Sequence, residues 1–457
     1  MGTFSRDGFT FDTGPSLLTL PAVYRDLFIK TGQPIEESLD LVAVDPACRY
    51  RFADGTELTL PNASRAGTRR AFDAAFGDGA GADWDRLHQR AQAIWLATRT
   101  PFLESPLDGS RDLLRLTRRT RDLRTIAPWK TLRGLGKHYL HDPRHRMLLD
   151  RYATYSGSDP RRAPAALAVV PYVEQTFGAW YVLGGLRRLA EAVHDRAAER
   201  GVTVRTSCDV AEVVIERGRA AGVRLQTGER LDADVVIANA DAAHLYADLV
   251  PASATRPAVR RLRKATPSLS GFVLLLALRG RSPDPSHHTV LFPRDYDAEF
   301  DAVFGRLAAP VDDPAVYISA PDDPALRPDD SSEAWVVLVN APRHGDGPGA
   351  VDWEAPGLAN SYADRVLAVM AERGVEVRDR LLWREVRTPA DLERDTRSPG
   401  GAIYGTSSNG VRAAFLRPAN RSPVPGLFLV GGSAHPGGGL PLVGLSAAIV
   451  ADLVGPA

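Results

Sequence analysis

The chain has 457 residues, 44% hydrophobic and 25% charged, a composition that folds and that excludes both wholesale disorder and a polytopic membrane protein. Lys plus Arg and Asp plus Glu number 56 each, so the basic excess of a dedicated nucleic-acid binder is missing. The length exceeds what one hydrophobic core supports and predicts two lobes, while two cysteines, Cys48 and Cys208, are too few for a disulfide framework or a cysteine zinc site and fit a reducing cytosol.

Phe4-Ser5-Arg6-Asp7 breaks up any apolar run at the start, which argues against a signal peptide. Residues 8–16 read as a short strand leading into a turn, and residues 20–28 have helical spacing. Across residues 41–60 apolar positions alternate around Asp54-Gly55, a pair suited to a hairpin turn. Between residues 72 and 149 the pattern is mostly helical, with Trp84, Leu87, Ile94 and Trp95 on one face. Residues 111–146 are rich in arginine interleaved with Leu113, Leu116, Leu123, Trp129 and Leu132, which suits a helix on an anionic bilayer surface or a plain amphipathic surface helix. Arg144, Arg146, Asp150, Arg151, Tyr152 and Tyr155 read as a solvated helix face with ion pairs.

Gly184-Gly185 opens a helix to about residue 200, followed by a strand at Val202-Thr203-Val204, a hairpin over 211–226 turning at Gly218, and a buried strand over 234–239. Residues 271–278 form an apolar run too short to span a bilayer and read as a buried strand. Further strands continue to residue 340, and a helix over 361–373 stops at Gly374. A buried strand over 426–430, a glycine-rich turn over 431–441 and a helix over 442–453 close the chain. The fold class is mixed α/β, without a solenoid repeat.

Gly431-Gly432-Ser433-Ala434-His435-Pro436-Gly437-Gly438-Gly439-Leu440-Pro441 delivers chain to a helix start. Without side chains, backbone N–H groups approach a flat ring or a phosphate closely, and the helix dipole favours negative charge there. A bland surface loop is the alternative, and the position between a buried strand and a helix argues against it. His287 and His288 read as strand-end residues rather than metal ligands, because no third ligand has suitable spacing.

This stretch resembles the C-terminal signature of the phytoene-desaturase and related carotenoid-desaturase family, a strand followed by Gly-x-x-x-His-Pro-Gly-x-Gly-x-Pro. Phe9-Thr10-Phe11-Asp12-Thr13-Gly14-Pro15-Ser16, His287-His288-Thr289-Val290 and Gly401-Ala402-Ile403-Tyr404-Gly405 match other family blocks in order, so the resemblance covers essentially the whole chain. It implies an FAD-binding Rossmann-type (glutathione-reductase-like) domain in residues 1–65, 181–250 and 401–457. It also implies a helical, substrate- or membrane-facing insertion over 66–180 and a mixed substrate domain of sheet and helices over 251–400. Asp12, Gly14, Pro15 and Ser16 are implied near the flavin ring, and Val210 beside the adenine through its backbone. Gly432, His435, Pro436, Gly438, Leu440 and Pro441 are implied to close the pyrophosphate and flavin side, with His435 either polarising the flavin or capping the turn.

The implied reaction is desaturation of phytoene or a later carotene by hydride transfer to FAD, with no side chain named as acid or base. The implied partners are an apolar polyene and, peripherally, the inner face of the cell membrane, with no nucleic acid. The family's G-x-G-x-x-G fingerprint and ribose acid normally precede the Gly14-Pro15 block within a βαβ unit of about 30 residues. Only a few residues, Met1 to Arg6 and the Asp7-Gly8 pair, precede that block here, so the expectation is a domain lacking its first βα unit, from a late start or a fragment. A carotenoid oxygenase or isomerase, an inactive remnant, and a nucleic-acid module suggested only by the arginine run are the alternatives.

Overall fold

The computed structural model describes residues 1–107, 120–410, 413 and 417–456. Strands β1 (Thr3–Arg6) and β2 (Phe9–Asp12) form an antiparallel hairpin turning at Asp7-Gly8, with φ of 53° and 80°. Two successive positive φ values match the twist of the flanking strands, and glycine takes the second without strain. The sequence reading has one strand here; the structure has two, because Asp7-Gly8 is the same kind of turn pair as Asp54-Gly55. Phe9 and Phe11 are buried edge-on to Trp383, at centroid distances of 5.6 and 5.7 Å.

The other strands of three or more residues are β3 (Leu41–Ala43), β4 (Cys48–Arg51), β5 (Glu57–Leu60), β6 (Trp180–Val182), β7 (Val210–Glu216), β8 (Arg219–Leu225), β9 (Arg230–Asp232), β10 (Val236–Ala238), β11 (Ser270–Arg279), β12 (His288–Leu291), β13 (Val316–Ser319), β14 (Ser332–Ala341), β15 (Leu381–Arg387) and β16 (Leu427–Leu429). The largest sheet runs β15-β11-β14-β13-β12-β4-β5, antiparallel throughout except for the parallel neighbours β12 and β4. Its interior strand β11, paired on both sides, is apolar at successive positions because both faces are covered. Phe272, Leu274, Leu276 and Leu278 pack against the helix Leu358–Glu372, and Leu275 and Ala277 pack against Phe9 and Phe11. Each buried leucine stabilises the fold by roughly 1.5–3 kcal/mol.

β10 and β16 pair in parallel, Val236 opposite Leu427, and β7-β8-β9 form a separate antiparallel sheet. The strand expected over 234–239 is present, but it is not buried: Ile237 is 51% exposed. Val202-Thr203-Val204 forms no strand; its residues are exposed and pair with no neighbour.

The helices that frame the site are α1 (Ala22–Lys30), α2 (Arg65–Phe76), α3 (Ala80–Thr98), α4 (Leu132–Tyr139), α5 (Pro143–Arg151), α6 (Val169–Phe177), α7 (Arg187–Glu199), α8 (Ala252–Leu262), α9 (Leu358–Glu372) and α10 (Leu440–Val454). Trp84, Leu87 and Trp95 of α3 are buried with Phe72, Leu132 and Tyr172 in a core that also takes Tyr50, Leu58 and Val290 from the large sheet, so the helical region packs onto that sheet. The solvated face expected around Arg144 is a correction. His145, Leu148, Leu149, Asp150 and Arg151 of α5 are all buried, as is Tyr152, because neighbouring elements cover more than one side of that helix. Arg144 alone behaves as expected, pairing with Asp54 at 3.1 Å and Asp142 at 2.7 Å. In the arginine-rich stretch, Leu113 and Leu116 lie outside the described residues, Leu132 is buried and Trp129 is exposed. Among the described residues, no helix is long and apolar enough to cross a membrane.

Candidate functional site

The glycine-rich turn leaves the sheet at the carboxyl end of the parallel pair, where Val430 N–H still donates to Ala238 C=O at 3.0 Å. Open α/β sheets bind ligands at that end of their strands. Gly431 has φ 95°, and a Cβ there would lie 2.1 Å from Asn239 Oδ1, so any other residue would be strained and would displace Asn239. Helix α10 then starts after Gly439 without a side-chain cap, which leaves backbone donors of its first turn open. A Cβ on Gly439 would meet nothing within 4 Å.

Two side chains hold this turn from behind. Arg417 donates to the carbonyls of Tyr404 at 2.8 Å, Gly432 at 2.7 Å and Thr406 at 2.7 Å. Burial pushes its pKa down to about 10, opposed by the Asp241 carboxylate. Asn420 donates from Nδ2 to the carbonyls of Leu429 and His435 and contacts Ser446 Oγ. His435 is 2% exposed, and its Nε2 lies 2.8 Å from the Phe102 carbonyl and 3.0 Å from that of Ser105. Both partners are acceptors, so Nε2 carries the proton, and burial keeps the ring neutral by lowering its pKa. The histidine fastens the turn to the residues just after α3. Pro436 beside it is buried, and Gly438 sits so close to Tyr404 that a Cβ would fall 2.5 Å from its ring.

The early turn lies against the same helix start. Leu18 and Leu440 share a core with Tyr24, whose hydroxyl donates to the Leu440 carbonyl at 2.8 Å. Gly14 and Pro15 are exposed, Pro441 is half-buried in the first turn of α10, and Ser16 Oγ is 2.6 Å from Tyr317 Oη. Tyr317 in turn bonds His288 Nδ1 at 2.8 Å, and burial holds that imidazole neutral, well below its usual pKa. The Arg151 guanidinium lies 5.5 Å from the Tyr317 ring centroid and donates to Tyr155 Oη at 2.7 Å.

Asp12 has a different task. Its carboxylate accepts the N–H groups of Leu186 at 2.7 Å and Arg187 at 3.1 Å, at the start of α7, and burial raises its pKa. Val210 opens β7 opposite Leu225, in a sheet apart from both turns. The early turn and the glycine-rich turn are therefore brought together, and Val210 is not. Sequence reasoning missed Arg417, Asn420 and Tyr317; the one available signal was Asn420 shortly before a buried strand, which reads equally well as an ordinary loop residue. Among the described residues, no His, Cys, Asp or Glu group could hold a metal.

The family description "Flavin containing amine oxidoreductase" matches residues 1–314. The chain belongs to this family. Similar to this oxidoreductase are 4,4'-diapolycopene oxygenase of Methylomonas sp., 31% identical with 99% of this chain and 90% of that protein covered, and hydroxyneurosporene desaturase of Rubrivivax gelatinosus, 33% identical with 98% and 84% covered. The crystal structure of an oxidoreductase from Methanosarcina mazei shares the fold, with a TM-score of 0.57, 16% identity, and 99% of this chain and 90% of that one covered.

The cofactor of this oxidoreductase is FAD, and the residues present fit it. The uncapped start of α10 offers N–H donors to an anionic or electron-rich edge, and the open backbone at Gly439 leaves room for a flat ring. The G-x-G-x-x-G fingerprint does not occur in the sequence, so the contacts that can be assigned are those of the two turns.

Proposed function

We propose that this flavin oxidoreductase desaturates a carotenoid, phytoene or a later carotene, and that Gly14, Pro15, Ser16, Gly432, Gly438, Leu440 and Pro441 hold the flavin. Asp12, His435 and Pro436 support that site by fixing α7 and the turn, and Val210 meets the adenine through its backbone. The carrying observation is the set of groups beside the turn: the hydroxyls of Ser16 and Tyr317 and the neutral imidazole of His288, joined by bonds of 2.6 and 2.8 Å. The relatedness to a hydroxyneurosporene desaturase over nearly the whole chain points the same way.

Held by Gly14, Pro15, Ser16 and the glycine-rich turn, FAD would supply the two-electron oxidising power for removal of a hydride from one carbon of the substrate. The neighbouring carbon must lose a proton, and a delocalised allylic cation is acidic enough that hydroxyls and a neutral imidazole suffice. What the protein contributes is alignment and exclusion of water, which the buried surroundings of Tyr317 and His288 provide.

Co-expression with a phytoene-producing pathway, and separately with one producing hydroxylated carotenes, tests the reading. Longer-wavelength products lighter by pairs of hydrogens are expected. A flavin-loaded protein that leaves every carotene unchanged would overturn it, and oxygen-containing products would move it to the oxygenases.

An apolar polyene has to be drawn from lipid, and we propose that the protein works from the surface of an anionic membrane. Exposed Trp129, within the arginine-rich stretch, and exposed Leu96, on α3 before it, support this. Flotation with anionic but not neutral liposomes is the expected result, and a folded protein that stays at the bottom of the gradient rules the idea out.

A further inference from the structure

Beside the carboxyl ends of β10 and β16, against α8, lies a cavity of about 260 Å³. Its walls are mostly apolar, with Val259, Leu262, Pro267 and Pro399 among them. Of the glycine-rich turn only Ser433 reaches it, and none of residues 12–16, 210 or 435–441 does. The cavity is therefore separate from the groups assigned to the flavin. It is also close to them, because a Cβ on Gly405, in its wall, would lie 2.7 Å from Ser433 Cβ.

Beside the exposed Arg263, two polar groups of this cavity, one buried and one half-buried, have no partner among the described residues. Thr406 is 9% exposed, and its Oγ1 makes no hydrogen bond. The half-buried Arg343 guanidinium has neither a hydrogen bond nor an ion pair, and burial lowers its pKa with only the charge of Glu393 opposing. Asp241 also faces the cavity, but it is engaged. It accepts from Ala243 N–H at 2.8 Å and from Ser398 Oγ at 3.3 Å, and its charge acts on Arg417.

A cation without an ion-pair partner and an idle hydroxyl donor over apolar walls are complementary to an anionic acceptor carried on an apolar body. We propose that this cavity binds a small amphiphilic anion, an apolar chain or ring bearing one carboxylate or phosphate. Arg343 and Thr406 take the head group, and Val259, Leu262, Pro267 and Pro399 enclose the body.

Calorimetric titration of the full chain, with and without saturating FAD, tests this with decanoate, decyl phosphate and decanol. One or both anions are expected to bind at least about tenfold more tightly than decanol, the weight of one charge-assisted hydrogen bond, whether or not FAD is present. The ranking of decanoate against decyl phosphate then identifies the head group. Arg343→Gln should abolish the preference, and Thr406→Val should weaken the anion by a smaller factor. Equal binding of decanol, or displacement of the anion by FAD, overturns the proposal. If Arg343→Gln does not fold, Leu262→Trp fills the cavity from α8 instead, and anion binding that survives it also overturns the proposal.

Discussion

Arg417 keeps a full charge inside the protein with backbone carbonyls, rather than a carboxylate, as its acceptors. Arg417→Met leaves the carbonyls of Tyr404, Thr406 and Gly432 without a donor. The expected loss is roughly 3 kcal/mol of stability, accompanied by lower flavin content. Guanidinium unfolding of apo and FAD-loaded protein checks this, and an unchanged midpoint would contradict it. His145 is a second buried group whose cost can be read out. Its ring stacks on Trp84 and lies against Phe72, neither nitrogen is bonded, and burial lowers its pKa to about 4. A histidine neutral in the fold and protonated in the unfolded chain loses stability as pH falls from about 6.5 toward 4, up to about 3 kcal/mol. Asp150 and Glu299, pushed up to about 7 by burial, act with the opposite sign and gain as pH falls below that value. His145→Phe separates the two effects. Its stability relative to the parent should climb between about pH 6.5 and 4 and stay level above 7, as urea unfolding across that range would show. Neither residue was legible beforehand. Arg417 stands in a stretch that reads as loop, and His145 in one that reads as a charged helix face; what buries both is packing from segments distant in sequence.

Among the elements, helix α7 shows how one carboxylate joins two segments. Asp12 at the end of β2 caps its first turn, and Gly185 must be glycine because a Cβ there would lie 2.9 Å from the Asp12 carboxylate. Asp12→Ala should lower stability by about 1–2 kcal/mol, with Asn recovering most of it. Thermal melting decides: loss of flavin with an unchanged melt would instead put Asp12 in direct contact with the cofactor. Elements with strong local signals were legible, including β11, the hairpin β7-β8 and the run from β16 through the glycine-rich turn to α10. Val202-Thr203-Val204 misled because a β-branched tripeptide needs a partner strand, and among the described residues none pairs with it. Asp7-Gly8 was overlooked even though its turn chemistry is as plain as that of Asp54-Gly55. At the site, the two turns could be found because glycine spacing reports backbone demands directly. The polar chain from Ser16 to His288 could not, because its members come from three distant segments.

At the scale of the whole molecule, the large sheet takes β4 and β5 from the first sixty residues and its other strands from beyond residue 269, with the helical region between. The order of blocks along the chain therefore does not follow the order of strands in space, and pairing partners were the least legible feature of the sequence. The bond from Tyr24 to the Leu440 carbonyl spans 416 residues, and the first helix packs in one core with the last. At about 5–20 residues per second of synthesis, α1 leaves the ribosome roughly 20–80 s before its partner exists. Ile35 and Leu39 join Leu18, Tyr24 and Phe28 early and Val182, Leu186 and Leu189 later, but until Leu440 emerges that core stays open on one side. The nascent chain is thus a client for holding chaperones, flavin can load only after release, and slower, cooler expression should raise the soluble yield more than a stronger promoter would.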